Sequence, residues 1–462
     1  MYKLNYFNFK ERNNEYLLTN DIGEYAFIKK EEFMALINKN KLIETTQKEL
    51  LEKGFIYETK KELFAEKMYL KLRRQKEYLL SATTLHIFVV SKNCNFNCVY
   101  CQAGNLNQKQ DNKMSIEIAK KSVDIALQSP NKYLSFEFQG GEPLTNFDVI
   151  KYIIEYSKEN TKGKQIDYNV VSNLTLLTDE MIDFFVENNV SICTSIDGNE
   201  ELQNKNRPYK EGNSYRKTIE QIEKLRKNGI KVSAIETTTK YSLNKFREMV
   251  DEYIKLKLDH IFIRPLTKLG KADSNWNKIG YSAEEFLEFY KKALDYIIQK
   301  NREGIFLVEG HSNIFLKKIL LHQPVNYMEL RSPCGGAIGQ IAYYYDGNIY
   351  TCDEGRMLAE MGDDSFKLGN VEKDTYQDLM KCDCTMAMCS SSCIECLPYC
   401  SSCVYMPYCG TCPVINLAQD DSIFAGRPKE FRCQVYGGIL EILFDYIKND
   451  EEVKQIFERW IS

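Results

Sequence analysis

Residues 85–101 read LHIFVVSKNCNFNCVYC: an apolar run, Leu85–Val90, that opens directly into a loop with three cysteines, Cys94, Cys98 and Cys101. The β-branched and aromatic run predicts a strand. Further strands are predicted at Leu134–Gln139, Ile166–Val171, Val190–Ile196, Lys231–Thr237 and His260–Pro265. Amphipathic helical patterns separate them at 115–129, 147–160, 178–189, 214–228 and 242–256. Six strands alternating with helices predict parallel βαβ units, hence an α/β sheet or partial barrel. In such folds ligands gather at the carboxyl ends of strands. Cys94 follows the first strand, Gly140-Gly-Glu-Pro143 the second, Ser172-Asn173 the third and Ser195-Ile-Asp-Gly198 the fourth.

The chain has 462 residues, enough for two or three domains. Hydrophobic residues make up 44% and charged residues 27%, with a formal net charge of −4. That balance is globular and gives no general reason to expect a nucleic-acid partner. No apolar run is long enough to span a bilayer and the N-terminus lacks a signal core, so no membrane partner and a cytoplasmic location are expected. Sixteen cysteines in a reducing compartment point to metal ligation rather than to a disulfide scaffold.

Three units are expected: residues 1–80, 81–305 and 306–462. In the first, Glu15–Thr19 and Glu24–Lys29 alternate as strands around the turn Asn20-Asp-Ile-Gly23. Helical patterns follow at Glu31–Asn38 and Thr46–Lys53, then a short strand at Phe55–Tyr57, which suggests a winged-helix-like module. A charged helix over 61–79 links it onward. Past a helix at 282–302, Ile341–Tyr350 predicts a hairpin around Asp346-Gly347. The segment 382–412 holds nine cysteines and little apolar periodicity, so it is expected to fold around metal rather than around a core. Val435–Ser462 reads as one amphipathic helix.

Three thiolates on one tight loop can bind three irons of a cubane and leave the fourth open. Zinc would want four ligands and paired CxxC knuckles; structural metal or chance spacing remain alternatives for CxxxCxxC alone. With GGEP one βα unit later, however, residues 83–305 resemble the radical S-adenosylmethionine (SAM) superfamily. The resemblance implies a partial (β/α)6 barrel. It implies a [4Fe-4S] cluster on Cys94, Cys98 and Cys101 whose open iron is chelated by SAM. Tyr100 would contact the adenine, and Gly140, Gly141 and Glu142 the methionine amino group. Ser195, Arg207 and Leu266 match further contacts. One electron, supplied by a reducing donor such as flavodoxin or ferredoxin, would cleave SAM to a radical that abstracts hydrogen from an unactivated C–H bond.

Cys193 lies in an apolar strand and reads as a small core residue. Twelve cysteines remain. Cys334, Cys352, Cys400, Cys403, Cys409, Cys412 and Cys433 resemble the SPASM domain of peptide-modifying radical SAM enzymes, which carries two auxiliary [4Fe-4S] clusters. Precedent gives Cys400, Cys403, Cys409 and Cys433 to one cluster, and Cys334, Cys352 and Cys412 to the other. Only two residues precede Cys412 in the run where the usual pattern has three. Cys382, Cys384, Cys389, Cys393 and Cys396 are surplus. One could complete the three-ligand cluster; the group could hold a third auxiliary cluster, a zinc knuckle, or redox thiols. Asp353, after Cys352, matches the proton-accepting residue of sulfatase-maturing relatives; a turn aspartate is the plainer reading.

The N-terminal module resembles the peptide-recognition element of ribosomal-peptide maturases, which pairs a leader peptide against a strand edge. A structural cap is its plainer reading. The layout is similar to maturases of the His-Xaa-Ser repeat peptide systems. The function implied is installation of an intramolecular thioether or carbon–carbon crosslink in a precursor peptide. Alternatives are formylglycine formation of the sulfatase-maturase type, and an iron–sulfur electron carrier without enzymatic activity.

Overall fold

The computed structural model describes residues 2–58, 61–103, 112–424, 428 and 430–462. Strands Leu85–Ser91, Tyr133–Gly140, Gln165–Val171, Ser191–Ser195, Val232–Thr237 and Ile263–Arg264 stand side by side in that order, each parallel to the next. Helices Ile116–Ala126, Phe147–Glu159, Asp179–Glu187, Ser214–Lys227 and Phe246–Lys255 intervene. Ser115, Thr178 and Asn213 start three of them by accepting a backbone N–H with the side chain. The sixth predicted strand, over 260–265, arrives as two short pieces. His260–Ile261 pairs with Val308–Glu309, and Ile263–Arg264 pairs with Val232–Thr237.

On the far side of Leu85–Ser91 the sheet continues. Gln340–Tyr343 runs parallel to that strand, and Asn348–Tyr350 and Lys367–Asn370 follow antiparallel, giving nine strands. The hairpin expected at Asp346-Gly347 is present, with Gly347 at φ +87°. This extension carries Cys352, two residues past Tyr350, into register with the barrel.

In the N-terminal module Asn8–Arg12, Glu15–Thr19 and Tyr25–Lys29 form an antiparallel meander. Helices Lys30–Ile37 and Glu44–Glu52 follow, and Lys3–Leu4 pairs with Ile56–Tyr57. The strand Glu15–Thr19 is buried on both faces because neighbouring side chains point in opposite directions. Tyr16 and Leu18 enter the module's own core, while Leu17 enters the main one. Thr19 Oγ1 donates to the Val404 carbonyl at 2.7 Å, and Asn8 Nδ2 donates to the Ser401 and Cys403 carbonyls, both at 3.1 Å. The module is thus joined directly to the cysteine-rich region. The linker helix spans Lys61–Gln75.

Two expectations change. The C-terminal helix is two, Phe431–Asn449 and Glu451–Ile461; Asp450 takes extended backbone between them and caps the second through Val453 N–H at 3.0 Å. The first packs on Ala283–Arg302 so closely that a Cβ on Gly438 would sit 2.3 Å from Leu287. The cysteine-dense segment also has a buried face. Helix Asp383–Ser392 buries Thr385, Met388, Ser391 and Ser392. Hydroxyls hide this stripe from an apolar count, because they are satisfied at once by nearby carbonyls: Thr385 by Leu379, Ser391 by Ala387 and Ser392 by Met388.

Candidate active site at the barrel mouth

The loop after Leu85–Ser91 is pinned by backbone bonds to distant segments. Asn97 N–H donates to the Pro208 carbonyl at 2.8 Å and Val99 N–H to Asn206 at 2.9 Å. The Cys101 carbonyl accepts from Lys271 N–H at 2.9 Å. The glycine turn closes beneath it: Gly141 N–H reaches the Ser91 carbonyl and Glu142 N–H the Asn93 carbonyl, both at 2.8 Å. A Cβ on Gly141 would lie 2.5 Å from the Lys92 oxygen, so only glycine permits this approach.

Cys94, Cys98, Cys101, Tyr100, Gly140, Gly141, Ser195 and Arg207 all line one cavity of about 230 Å³. Two residues expected there do not line it. Leu266 is buried, its N–H donated to Tyr281 Oη at 2.6 Å, and its neighbours Pro265 and Thr267 line the cavity instead. Glu142 is buried below the turn, accepting from Leu144 N–H at 3.0 Å, Ser172 Oγ at 2.7 Å and Asn173 N–H at 2.8 Å. Burial lifts its carboxyl to about 7 against those three donors. Its visible work is to hold Ser172-Asn173, and Asn173 in turn bonds Asn95 of the cysteine loop at 2.9 Å.

Asp197, Arg264, Arg356 and Glu137 were not anticipated as site residues. Asp197 is fully buried and accepts from Tyr100 Oη at 2.7 Å and Arg207 Nε at 3.2 Å. The Arg207 guanidinium lies 5.2 Å from the Tyr100 ring centroid. The signal is present in the aspartate of Ser195-Ile-Asp-Gly198, at the end of the fourth strand. Burial disfavours the charge on Arg207, but Asp197, Tyr100 and Cys98 outweigh it and raise its pKa. Burial pushes the Cys98 thiol up to about 12 despite Arg207. Metal binding there must therefore expel a proton. Glu137 lies on an inward strand position, its carboxyl raised by burial. Cys193 sits near Glu137, Arg264 and Arg207, so it faces the polar interior rather than the apolar shell.

Asp353 begins helix Asp353–Glu360, and its carboxylate accepts from both Nε and Nη2 of the buried Arg356 at 2.7 Å. Cys352 caps the same helix, Sγ accepting Gly355 N–H at 3.3 Å. Cys334, Cys352 and Cys412 are buried in one apolar cluster; the charges of Cys334 and Cys412 are felt at Cys352, and that of Cys334 at Cys412. Cys400, Cys403, Cys409 and Cys433 line a second cavity of about 140 Å³. Burial drives the thiols of Cys400 and Cys409 to about 12. The structure thus brings together the two sets named from sequence. The surplus five do not form one group. Cys382 and Cys384 lie at the start of helix Asp383–Ser392, Cys389 lies on it, and Cys393 and Cys396 follow its end. That helix is about 15 Å long. Among the described residues, no three Cys, His, Asp or Glu side chains close on the point of a single metal ion.

Residues 88–255 match the family model of the radical SAM superfamily. The chain is 25% identical over 355 residues to the radical SAM cyclopropyl synthase TigE of Paramaledivibacter caminithermalis, covering 73% of this chain and 69% of TigE. It is 24% identical over 325 residues to the cysteine-type anaerobic sulfatase-maturating enzyme of Clostridium novyi, covering 68% and 83% respectively. The crystal structure of Streptococcus suis SuiB bound to precursor peptide SuiA has a similar fold, with a TM-score of 0.57 at 17% identity, covering 94% of this chain and 100% of that chain. Residues 88–255 thus match the radical SAM superfamily, and the chain is similar in sequence to sulfatase-maturating enzymes and to TigE. A match to the radical SAM superfamily implies SAM and a [4Fe-4S] cluster, and the donor set fits them: three thiols on one loop, a glycine turn without Cβ atoms, and arginines around the cavity. No helix among the described residues is long and apolar enough to cross a membrane.

Proposed function

We propose that this chain matures a ribosomally made precursor peptide, installing an intramolecular thioether or carbon–carbon crosslink. SAM bound on the cluster would supply one-electron, hydrogen-abstracting chemistry. Cys94, Cys98 and Cys101 would hold the cluster. Tyr100 and Arg207, fixed by Asp197, would orient the adenosyl group, and the turn Gly140-Gly141 would admit the methionine end. Cys334, Cys352 and Cys412, and Cys400, Cys403, Cys409 and Cys433, would hold auxiliary clusters that accept the substrate's electron. A small reducing protein such as flavodoxin or ferredoxin would supply the first electron.

One observation carries the peptide reading. The N-terminal meander ends in the edge strand Asn8–Arg12, exposed over Phe9–Glu11, and the module is bonded to the cysteine-rich region. An open strand edge accepts an extended peptide through main-chain hydrogen bonds. Phe9 stands 52% exposed beside Phe33, 4.9 Å between ring centroids, leaving an apolar side chain for a leader to cover.

Formylglycine formation is the second reading, supported by the similarity to the sulfatase-maturating enzyme and by Asp353 after Cys352. The pairing of Asp353 with Arg356 opposes it, since the carboxylate already accepts two donors from one cation. The test is anaerobic incubation of reduced enzyme, SAM and the peptide encoded beside the gene. The crosslinking reading expects 5′-deoxyadenosine and loss of two hydrogens per crosslink. An aldehyde-reactive product would select the second reading, and no 5′-deoxyadenosine would select an electron carrier.

A further inference from the structure

We propose that Cys389, Cys393 and Cys396 form a separate site for a single thiophilic ion, zinc, beside the auxiliary-cluster cysteines. Cys393 Sγ and Cys396 Sγ stand 3.8 Å apart. Two thiolates bound to one tetrahedral ion at ~2.3 Å are separated by just such an edge. Cys389 lies in the last turn of helix Asp383–Ser392, four residues before Cys393, which follows as the helix C-cap. The three therefore occur as CxxxCxxC, the spacing that puts Cys94, Cys98 and Cys101 on one loop.

The local frame is built without the ion. Ile394 N–H donates to Ser332 Oγ at 3.1 Å, and Cys396 N–H to the Cys393 carbonyl at 3.0 Å. The Glu395 carboxylate, inside the CxxC, is held by Lys76 Nζ and Ser332 Oγ, and the Cys393 thiol points to it at 3.5 Å. A second, independent observation calls for negative charge here. Arg331 is 2% exposed, and its Nε is buried with no hydrogen-bond acceptor among the described residues. Nη1 donates to Asn326 Oδ1 at 2.8 Å and the guanidinium stacks 4.4 Å from the Tyr78 ring centroid. Besides Tyr78, the ionisable groups that reach it are Cys334 and Cys389. A buried cation of this kind is costly unless an anion compensates it; a Cys389 thiolate held by metal, beside that of Cys334, supplies such an anion. Cys389 would join the pair as the third ligand when the ion binds, metal binding and local folding being coupled in such sites. Binding is redox-neutral: the ion replaces three thiol protons, which pass to solvent, and the exposed side of Cys396 leaves the fourth position to water.

The experiment is metal analysis of anaerobically purified full-length protein, wild type against C389S, C393S and C396S, with C382S/C384S as the control pair. The expected result is about one zinc per chain. At fixed low free zinc that zinc falls at least tenfold in each of the three variants, while iron is unchanged and the control keeps its zinc. Loss of iron in those variants would assign the thiols to an iron–sulfur cluster and overturn the proposal, as would unchanged zinc. An as-isolated Cys393–Cys396 disulfide found by mass spectrometry would do the same. Cobalt substitution of the unmutated protein gives a readout that does not depend on variant folding. Additional thiolate-to-cobalt charge-transfer absorption, blocked by prior zinc, supports the site, and its absence overturns it.

Discussion

Two sets of thiols are held by opposite means. Cys94, Cys98 and Cys101 ride on a loop that the polypeptide fixes by itself, through Asn97 to Pro208, Val99 to Asn206 and Lys271 to Cys101. The barrel beneath is complete without them. Cys334, Cys352 and Cys412 are instead core residues, each no more than 4% exposed, packed with Phe366, Met388, Val414 and Ile415. Burial pushes the thiols of Cys94, Cys98, Cys334, Cys352 and Cys412 upward, Cys334 to about 11, so both sets disfavour free thiolates there. The difference lies in what else supports the surroundings. Removing metal from the first set should cost chemistry; removing it from the second should cost structure.

The largest expected effect tests this contrast directly. C98A should lower SAM cleavage by more than about a hundredfold with little change in melting temperature, since the loop keeps its backbone anchors. C352A should lower the melting temperature and speed amide exchange across residues 334–433. Equal thermal losses in the two variants, read by calorimetry at matched iron content, would erase the distinction.

Asp197 sharpens it next. Asp197→Asn leaves Arg207 buried without its partner, a loss of roughly 3–5 kcal/mol. Because the pair also orients Tyr100, SAM affinity by equilibrium dialysis should fall with stability. A variant as stable as wild type would show that Arg207 has found another partner.

Glu142 gives a pH signature for the barrel side alone. Its carboxyl titrates near 7 in the fold, above the ordinary 4.5. The folded site therefore holds a proton that the unfolded chain releases, and stability falls as pH rises from about 4.5 to about 7. The expected span is about 3 kcal/mol. Denaturant titrations across that window should show a slope in wild type that is shallower in Glu142→Gln, the remainder coming from other buried carboxyls such as Glu137. A variant retaining the full slope would place its origin elsewhere.

The smallest effect concerns the seam between the N-terminal module and the cysteine-rich region. Thr19→Ala removes the bond to the Val404 carbonyl and should cost about 1 kcal/mol. Hydrogen exchange should rise at 401–405 and leave the cysteine loop at 94–101 unchanged.

How far the sequence foretold this molecule depends on which forces hold each part. The parallel strands and their helices were legible because each buries a regular apolar stripe. Cys94, Cys98, Cys101, Tyr100, Gly140, Gly141, Ser195 and Arg207 were legible by motif and do meet at one cavity. Asp197 and Arg264 were not, because each acts through a partner distant in sequence, Tyr100 for the first and Glu329 for the second. Asp197 gains meaning only once Tyr100 and Arg207 converge on it. Helix Asp383–Ser392 escaped notice because Thr385, Ser391 and Ser392 bury hydroxyls rather than hydrocarbon. Spacing could not divide the five surplus cysteines, since helix length and direction decide which thiols can meet.

The measurement that bears most directly on the account is the mass and fragmentation of the neighbouring-encoded peptide after anaerobic turnover with SAM and reductant. The account predicts loss of two hydrogens per crosslink, no fragmentation between the joined residues, no aldehyde reactivity, and dependence on both Cys98 and the N-terminal module. An unchanged peptide, or a formylglycine aldehyde, would contradict it.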